Sequence, residues 1–213
     1  MSDSWNEIDL VLTTMIDTCL TNEKYFGDLD SVVGDGDFGY SLARGFEKLK
    51  AQYGELDRTD VGTFLKKVGM LVTSRIGGTS GPIWGTGFLR AGMTAGTATS
   101  LDGPMVVAML RAAIEGIKAR GGAELGDKTL LDALAPMTDA IEAALAAGAS
   151  SAEVVERAAT AARTAADATA ELVAKRGRAA YTGERSRGSV DAGAIAVAVL
   201  MEQIAQNWKL AKS

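Results

Sequence analysis

Beyond residue 100 the chain is written largely in alanine. Of its 36 alanines 31 fall there, and all 213 residues include only three prolines. Alanine is the strongest helix former, and β-branched residues form few clusters, so this half is expected to be helical throughout. The small side chains of 133–174 also allow helices to approach one another closely. The first half reaches the same class through periodicity. A first helix is expected from Ser4, with Ser4 and Glu7 as a capping box, and Ile8, Val11, Leu12, Met15, Ile16 and Cys19 then recur on one face. Further helices are expected over about 39–53, 60–75, 82–97, 104–119, 130–147, 151–175 and 191–210. Gly121-Gly122 ends the fifth, Pro136 is a candidate bend in the sixth, and Ser150 with Glu153 caps the seventh. The segments 27–37, 77–81, 123–129 and 176–190 read as loops. Short connections make successive helices antiparallel. No linker or shift in composition divides the chain, so residues 1–213 are read as one all-α domain, a bundle of about eight antiparallel amphipathic helices.

Composition narrows the chemistry. Hydrophobic residues at 47% and charged residues at 23% are ordinary globular values, and no apolar run is long enough to span a membrane. A net charge of −5 disfavours nucleic acid or an anionic membrane as the main partner. The first twenty residues carry Asp3, Glu7 and Asp9 without a basic region, so no signal peptide is expected. The single cysteine, Cys19, excludes an internal disulfide and a multi-cysteine metal site and suits a reducing cytosol, hence a cytoplasmic location. The chain has no histidine. Histidine-based triads, imidazole proton shuttles and His-ligated metals are therefore excluded, and any metal must sit on oxygen, which favours magnesium, calcium or manganese.

Three segments carry candidate chemistry. Asp28, Asp30, Asp35 and Asp37 lie among Gly27, Gly34, Gly36 and Gly39. Carboxylates this close repel unless a hard cation joins them, although an acidic surface turn capping the next helix accounts for the spacing equally well. An EF-hand fits poorly, because position twelve of that loop would be Phe46. Gly77-Gly78-Thr79-Ser80-Gly81-Pro82 precedes a helix and could cradle an anion on backbone N–H groups. It lacks a Walker ending, and alone it is more simply an interhelical turn. The third segment holds Arg176, Arg178, Arg185 and Arg187 among glycines, followed by Asp191. It suits a phosphate clamp, with a solvated loop of local ion pairs as the alternative. Counted along an antiparallel bundle, the loops at 27–37, 77–82, 121–129 and 176–190 all fall at one end. Together they supply metal ligands, a phosphate cradle and a cationic loop, the parts needed for phosphoryl transfer.

These motifs also resemble a known family. Leu29-Asp30, then Gly34 to Gly39, then Gly78 to Pro82, then Gly126-Asp-Lys-Thr129 with Leu131 to Leu134, then Gly177 to Ser186, Gly188 and Asp191 to Ala194 are similar to the nucleotide-binding L subunit of dihydroxyacetone kinase. The match runs nearly end to end. The resemblance implies a closed barrel of eight antiparallel helices with ADP or ATP bound at one end. It implies catalytic magnesium, two ions, on Asp30, Asp35 and Asp37, and phosphate contacts from Phe38, Gly39, Tyr40, Ser41, Thr79 and Ser80. Gly121 and Leu130 would line the adenine side, Arg178 would reach the nucleotide, and Asp191, Ala192 and Gly193 would complete the pocket. The sugar of this family sits on a separate K-type subunit, through a histidine there, which agrees with a chain that has none. Four positions depart from the pattern. Phe38 stands where histidine is usual, Tyr40-Ser41 where Thr-Asn is usual, and Ala192 where proline follows the last aspartate. Open alternatives are a four-carbon ketose such as erythrulose as substrate, and ADP as a fixed group recharged by a phosphotransferase-system phosphocarrier. A nucleotide-sensing module docked on a regulator, or a homodimer, also stays open.

Overall fold

The computed structural model describes residues 3–78 and 80–212. Nine α-helices account for most of them: α1 (Asp3–Thr21), α2 (Glu23–Asp30), α3 (Phe38–Gln52), α4 (Val61–Arg75), α5 (Ser80–Ala95), α6 (Gly103–Gly121), α7 (Leu131–Ala146), α8 (Ser151–Ala168) and α9 (Ala192–Lys212). From α3 to α9 each helix packs on the next, α9 packs on α1, and α1 packs on α3, so eight helices close into a ring. The short α2 is wedged against α3 and α9.

Most of the ends are written locally. The Asp60 carboxylate accepts from the Thr63 N–H at 2.6 Å to start α4, and Asp102 accepts from Met105 at 2.8 Å to start α6. Gly122, at φ 58°, stops α6 in a left-handed turn. Ser150 and Glu153 form the expected capping box of α8. The buried faces also follow the periodic reading: Ile8, Leu12, Ile16 and Cys19 of α1, and Val61, Phe64, Leu65, Val68 and Val72 of α4, are in the core. Phe26, Leu42, Phe46 and Leu49 fill the space where α2 and α3 meet the ring. The ring also encloses a strongly apolar cavity of about 520 Å³, lined by Phe88, Met109, Ile141, Leu200 and Met201 among others.

Four local expectations are corrected. Ser4 is not a cap but lies inside α1, and its hydroxyl accepts from the Leu101 N–H at 3.4 Å, tying the helix to the α5–α6 connection. The segment 27–37 is not all loop, because α2 runs to Asp30 and buries Phe26. The α5 helix begins at Ser80, placing Pro82 in its first turn. The long seventh helix stops at Ala168; a 3₁₀ turn over Thr169–Glu171 follows, and Leu172 is extended at ψ 154°. The α7 helix runs through Pro136.

Candidate functional site

At one end of the ring the connections α2–α3, α4–α5, α6–α7 and α8–α9 surround a cavity of about 740 Å³. All four loops expected at a common end reach it, so the antiparallel counting is borne out by the arrangement of the chain.

Its acidic wall is the α2–α3 turn. Asp30 closes α2, and its Oδ2 accepts from the N–H of Gly36 at 2.9 Å and of Phe38 at 3.4 Å. The turn thus folds around the carboxylate it presents. Gly34 is required beside it, because a Cβ there would lie 2.3 Å from Asp30 Oδ1 and 2.8 Å from the Asp30 carbonyl oxygen. Asp35 and Asp37 then stand at the surface, and one carboxylate oxygen from each of Asp30, Asp35 and Asp37 lies within 4.8 Å of the others. Three carboxylates at that separation fit a hard divalent cation, which takes several oxygen ligands. The Arg178 guanidinium faces them: its Nη1 contacts Asp35 and lies 3.3 Å from Asp37 Oδ2. Mutual repulsion within the acidic group is thereby offset from across the cavity.

The rest of the wall is mixed. Gly77, Gly78 and Ser80 flank the start of α5; Ile83, Trp84, Ile117, Ala123, Leu130 and Leu131 are apolar; Ala192 and Gly193 begin α9. Asp191 caps α9 by accepting from the Ala194 N–H at 2.7 Å. Burial pushes its carboxyl up to about 7, against the ordinary 3.8, and the Ala194 N–H only partly counters this.

The α6–α7 loop is organised by its own charges. Asp132 accepts from the N–H groups of Gly126 at 2.5 Å and Thr129 at 2.8 Å. Asp127 accepts from the Glu124 N–H at 3.0 Å and from Arg176 Nε at 3.1 Å. The Glu124 N–H, Lys175 and Arg176 hold the Asp127 carboxyl below the usual carboxylate range.

Of the residues singled out in the sequence, Asp30, Asp35, Asp37, Phe38, Ser80, Gly121, Leu130, Arg178, Asp191, Ala192 and Gly193 line this cavity. Gly39, Tyr40 and Ser41 belong to the first turn of α3 but are not on the wall. Gly39 is pressed against the α2 backbone near Glu23, Tyr40 points outward beneath the Arg44 guanidinium, and Ser41 is buried. Thr79 lies outside the described residues. Phe38, the departure from the family pattern, is buried with its ring 6.2 Å from that of Phe26, so it serves the packing of α2 on α3. Sequence reasoning missed Trp84, Arg120, Tyr181 and Lys128 as wall residues. Two of them lay in motifs already noted: Lys128 between Asp127 and Thr129, and Tyr181 within the Gly177 to Ser186 stretch.

Comparison with known proteins gives a consistent family. The DAK2 domain model matches residues 32–206. The chain is 36% identical over 205 residues to the PEP-dependent dihydroxyacetone kinase, ADP-binding subunit DhaL, of Escherichia coli, covering 96% of this chain and 98% of that one. It is 37% identical over 199 residues to the L-erythrulose 1-kinase of Mycolicibacterium smegmatis, covering 92% of this chain and 34% of that protein. The crystal structure of the dihydroxyacetone kinase from C. freundii in complex with AMP-PNP and Mg2+ superposes with a TM-score of 0.71 at 26% identity, over 95% of this chain and 33% of that one. With matching family, matching fold and a relative aligned end to end, this chain belongs to the DAK2-domain family.

Proposed function

We propose that this chain is the ADP-binding subunit of a dihydroxyacetone kinase, carrying a magnesium–nucleotide at the loop end of the ring and passing a phosphoryl group to a ketose held by a separate K-type subunit. One observation carries the reading: three carboxylates converge opposite an arginine on the wall of a single cavity. Asp30, Asp35 and Asp37 would hold the metal, in two ions. Bound there, magnesium neutralises and orients the terminal phosphate oxygens.

The chain's own residues supply the rest. Backbone N–H groups at the start of α5, around Ser80, offer donors to phosphate oxygens on the cavity wall. Arg178 offers a planar guanidinium to the same charge once its aspartate partners are engaged. Gly121, Leu130, Ile83 and Ile117 form an apolar wall suited to a purine ring. Asp191, Ala192 and Gly193 close the floor at the start of α9. Catalysis of this kind is positioning and charge stabilisation, so a chain without histidine is chemically sufficient for the donor half.

Three relatives that the chain matches over most of their length are named as ADP-binding subunits of PEP-dependent or PTS-dependent dihydroxyacetone kinases. They favour ADP as a resident group recharged by a phosphotransferase-system phosphocarrier over free exchange of ATP. Similarity to erythrulose kinases, of which the chain spans about a third, supports a four-carbon ketose as the second reading. Reconstitution tests both. Purified chain, its K-type partner and the phosphocarrier are supplied with phosphoenolpyruvate or ATP and a panel of ketoses. Phosphorylation of dihydroxyacetone that needs all components is the expected result. Turnover by this chain alone would overturn the two-subunit reading.

A further inference from the structure

Lys128 stands in the cavity wall, where a lysine is naturally read as a ligand for phosphate. Its geometry says otherwise. An ammonium group has three donors, and all three are engaged. Nζ donates to the carbonyl oxygens of Leu172 at 3.1 Å, Ser186 at 2.5 Å and Ser189 at 2.6 Å. The residue is 3% exposed, and among the described residues it is the one non-glycine with a positive φ, at 63°. A left-handed lysine is an uncommon backbone state that the surroundings must hold in place.

The three carbonyls belong to one segment, and they lie at its two ends. Leu172 opens it, and Ser186 and Ser189 close it. Neighbouring bonds tighten the same neck: the Ala174 N–H donates to Ser186 Oγ at 2.9 Å, and the Lys175 N–H donates to the Asp127 carbonyl at 3.0 Å. Between these ends the chain loops out through the 3₁₀ turns of Arg178–Ser186, and at its head Arg178 meets Asp35 and Asp37. The Gly188 N–H to the Ala170 carbonyl at 2.8 Å and Arg187 Nη1 to the Glu171 carbonyl at 2.9 Å join the chain just outside, and Lys128 is the buried charge that meets both ends.

We propose that Lys128 is a positioning residue that clasps the neck of the 172–189 loop and so sets Arg178 against the acidic group, without itself touching the nucleotide. The nucleotide part rests on the function proposed above. A neutral side chain at 128 would take the donor from the Leu172 and Ser189 carbonyls and leave Ser186 only the Ser189 hydroxyl, at 2.9 Å, and the loop would open at its neck.

A double-mutant cycle tests this. Wild type, Lys128→Met, Arg178→Ala and the double variant are each titrated with magnesium–ADP by calorimetry, and wild type and Lys128→Met are digested with trypsin without ligand. Lys128→Met is expected to weaken magnesium–ADP binding about tenfold in the wild-type background and less than about twofold when Arg178 is already alanine. Trypsin is expected to cut after Arg178 and Arg185 about tenfold faster in Lys128→Met, since cleavage tracks local opening. Unchanged affinity, or an equal loss in both backgrounds, overturns the proposal. If Lys128→Met does not fold, Lys128→Gln, which keeps two donor hydrogens, takes its place, with a smaller loss that also disappears without Arg178. If wild type fails to bind magnesium–ADP, the proposed function falls, and the trypsin rates alone decide whether Lys128 clasps the loop.

Discussion

Gly34→Ala is the smallest change that should unseat the metal-binding geometry. Alanine is conformationally admissible here, because Gly34 is not among the glycines with positive φ. The effect comes from collision. The new Cβ would lie 2.3 Å from Asp30 Oδ1, 2.8 Å from its Cγ and 2.8 Å from its carbonyl oxygen. The carboxylate must swing away and the turn must shift, which costs Asp30 Oδ2 its bonds to the N–H groups of Gly36 and Phe38. A hydrogen bond to a charged group contributes about 1.5–3 kcal/mol. Replacing glycine returns about 0.4–1 kcal/mol by restricting the unfolded chain. With the 3.4 Å bond from Phe38 contributing little, the net cost is about 0.5–2.5 kcal/mol, a fall in Tm of roughly 1–10 °C for a domain of this size. Displacing what orients a metal ligand costs about 10–100-fold in metal affinity, so magnesium–ADP should bind about that much more weakly. ADP without metal should change by less than about twofold. Calorimetry with and without magnesium, beside a melting curve, reads both effects. A folded Gly34→Ala chain that binds magnesium–ADP like wild type would refute the reasoning, because Asp30 could not then be a ligand in the place described.

Three further outcomes are expected. Ser150→Ala removes the hydroxyl that accepts from the Glu153 N–H and donates to its carboxylate, and should lower stability by about 1 kcal/mol, a Tm fall of roughly 2–4 °C, without affecting nucleotide binding. Asp191 has a folded pKa of about 7 against an ordinary 3.8, so its contribution is fully present below pH 4 and is lost as the pH rises through 7. Melting curves of wild type should therefore decline relative to Asp191→Asn across that window, and parallel curves would count against the desolvation of this carboxyl at the cavity wall. ADP with magnesium at 100 times the dissociation constant should stabilise the chain by roughly 2.7 kcal/mol, several degrees in Tm, and far less once Asp30, Asp35 and Asp37 are asparagine; a scanning-fluorimetry titration measures this.

Much of the architecture was legible because long amphipathic helices repeat their signal. The α4 helix states its buried face five times over, in Val61, Phe64, Leu65, Val68 and Val72, and Asp60 marks its start. Alternation of direction then followed from short connections, and it brought the four loops to one cavity. What escaped the sequence was short or long-range. The eight residues of α2 complete barely two turns and include Gly27, so no periodicity distinguishes them from the acidic turn that follows. Their helical state is fixed by Phe26 packing into the core and by the close approach of Gly39 to the Glu23 carbonyl. Likewise, helical propensity favours continuing α8 past Ala168, and nothing local stops it. The chain leaves the helix to bring the carbonyls of Leu172, Ser186 and Ser189 around Lys128, a residue more than forty positions earlier. The site's aspartates were identified by type and spacing, whereas the non-wall position of Gly39, Tyr40 and Ser41 depends on how the first turn of α3 is rotated against α2, which spacing does not encode.

On the proposed function, Asp30, Asp35 and Asp37 hold the metal that in turn holds the nucleotide. Crystals grown with ADP and manganese test it directly, since manganese accepts the same oxygen ligands and scatters anomalously. Anomalous peaks are expected within coordination distance of those three carboxylates and of the β-phosphate, with Arg178 turned from the aspartates toward the phosphates and the purine against Leu130 and Ile83. Nucleotide bound away from this cavity, or manganese seated without contact to the three aspartates, would contradict it.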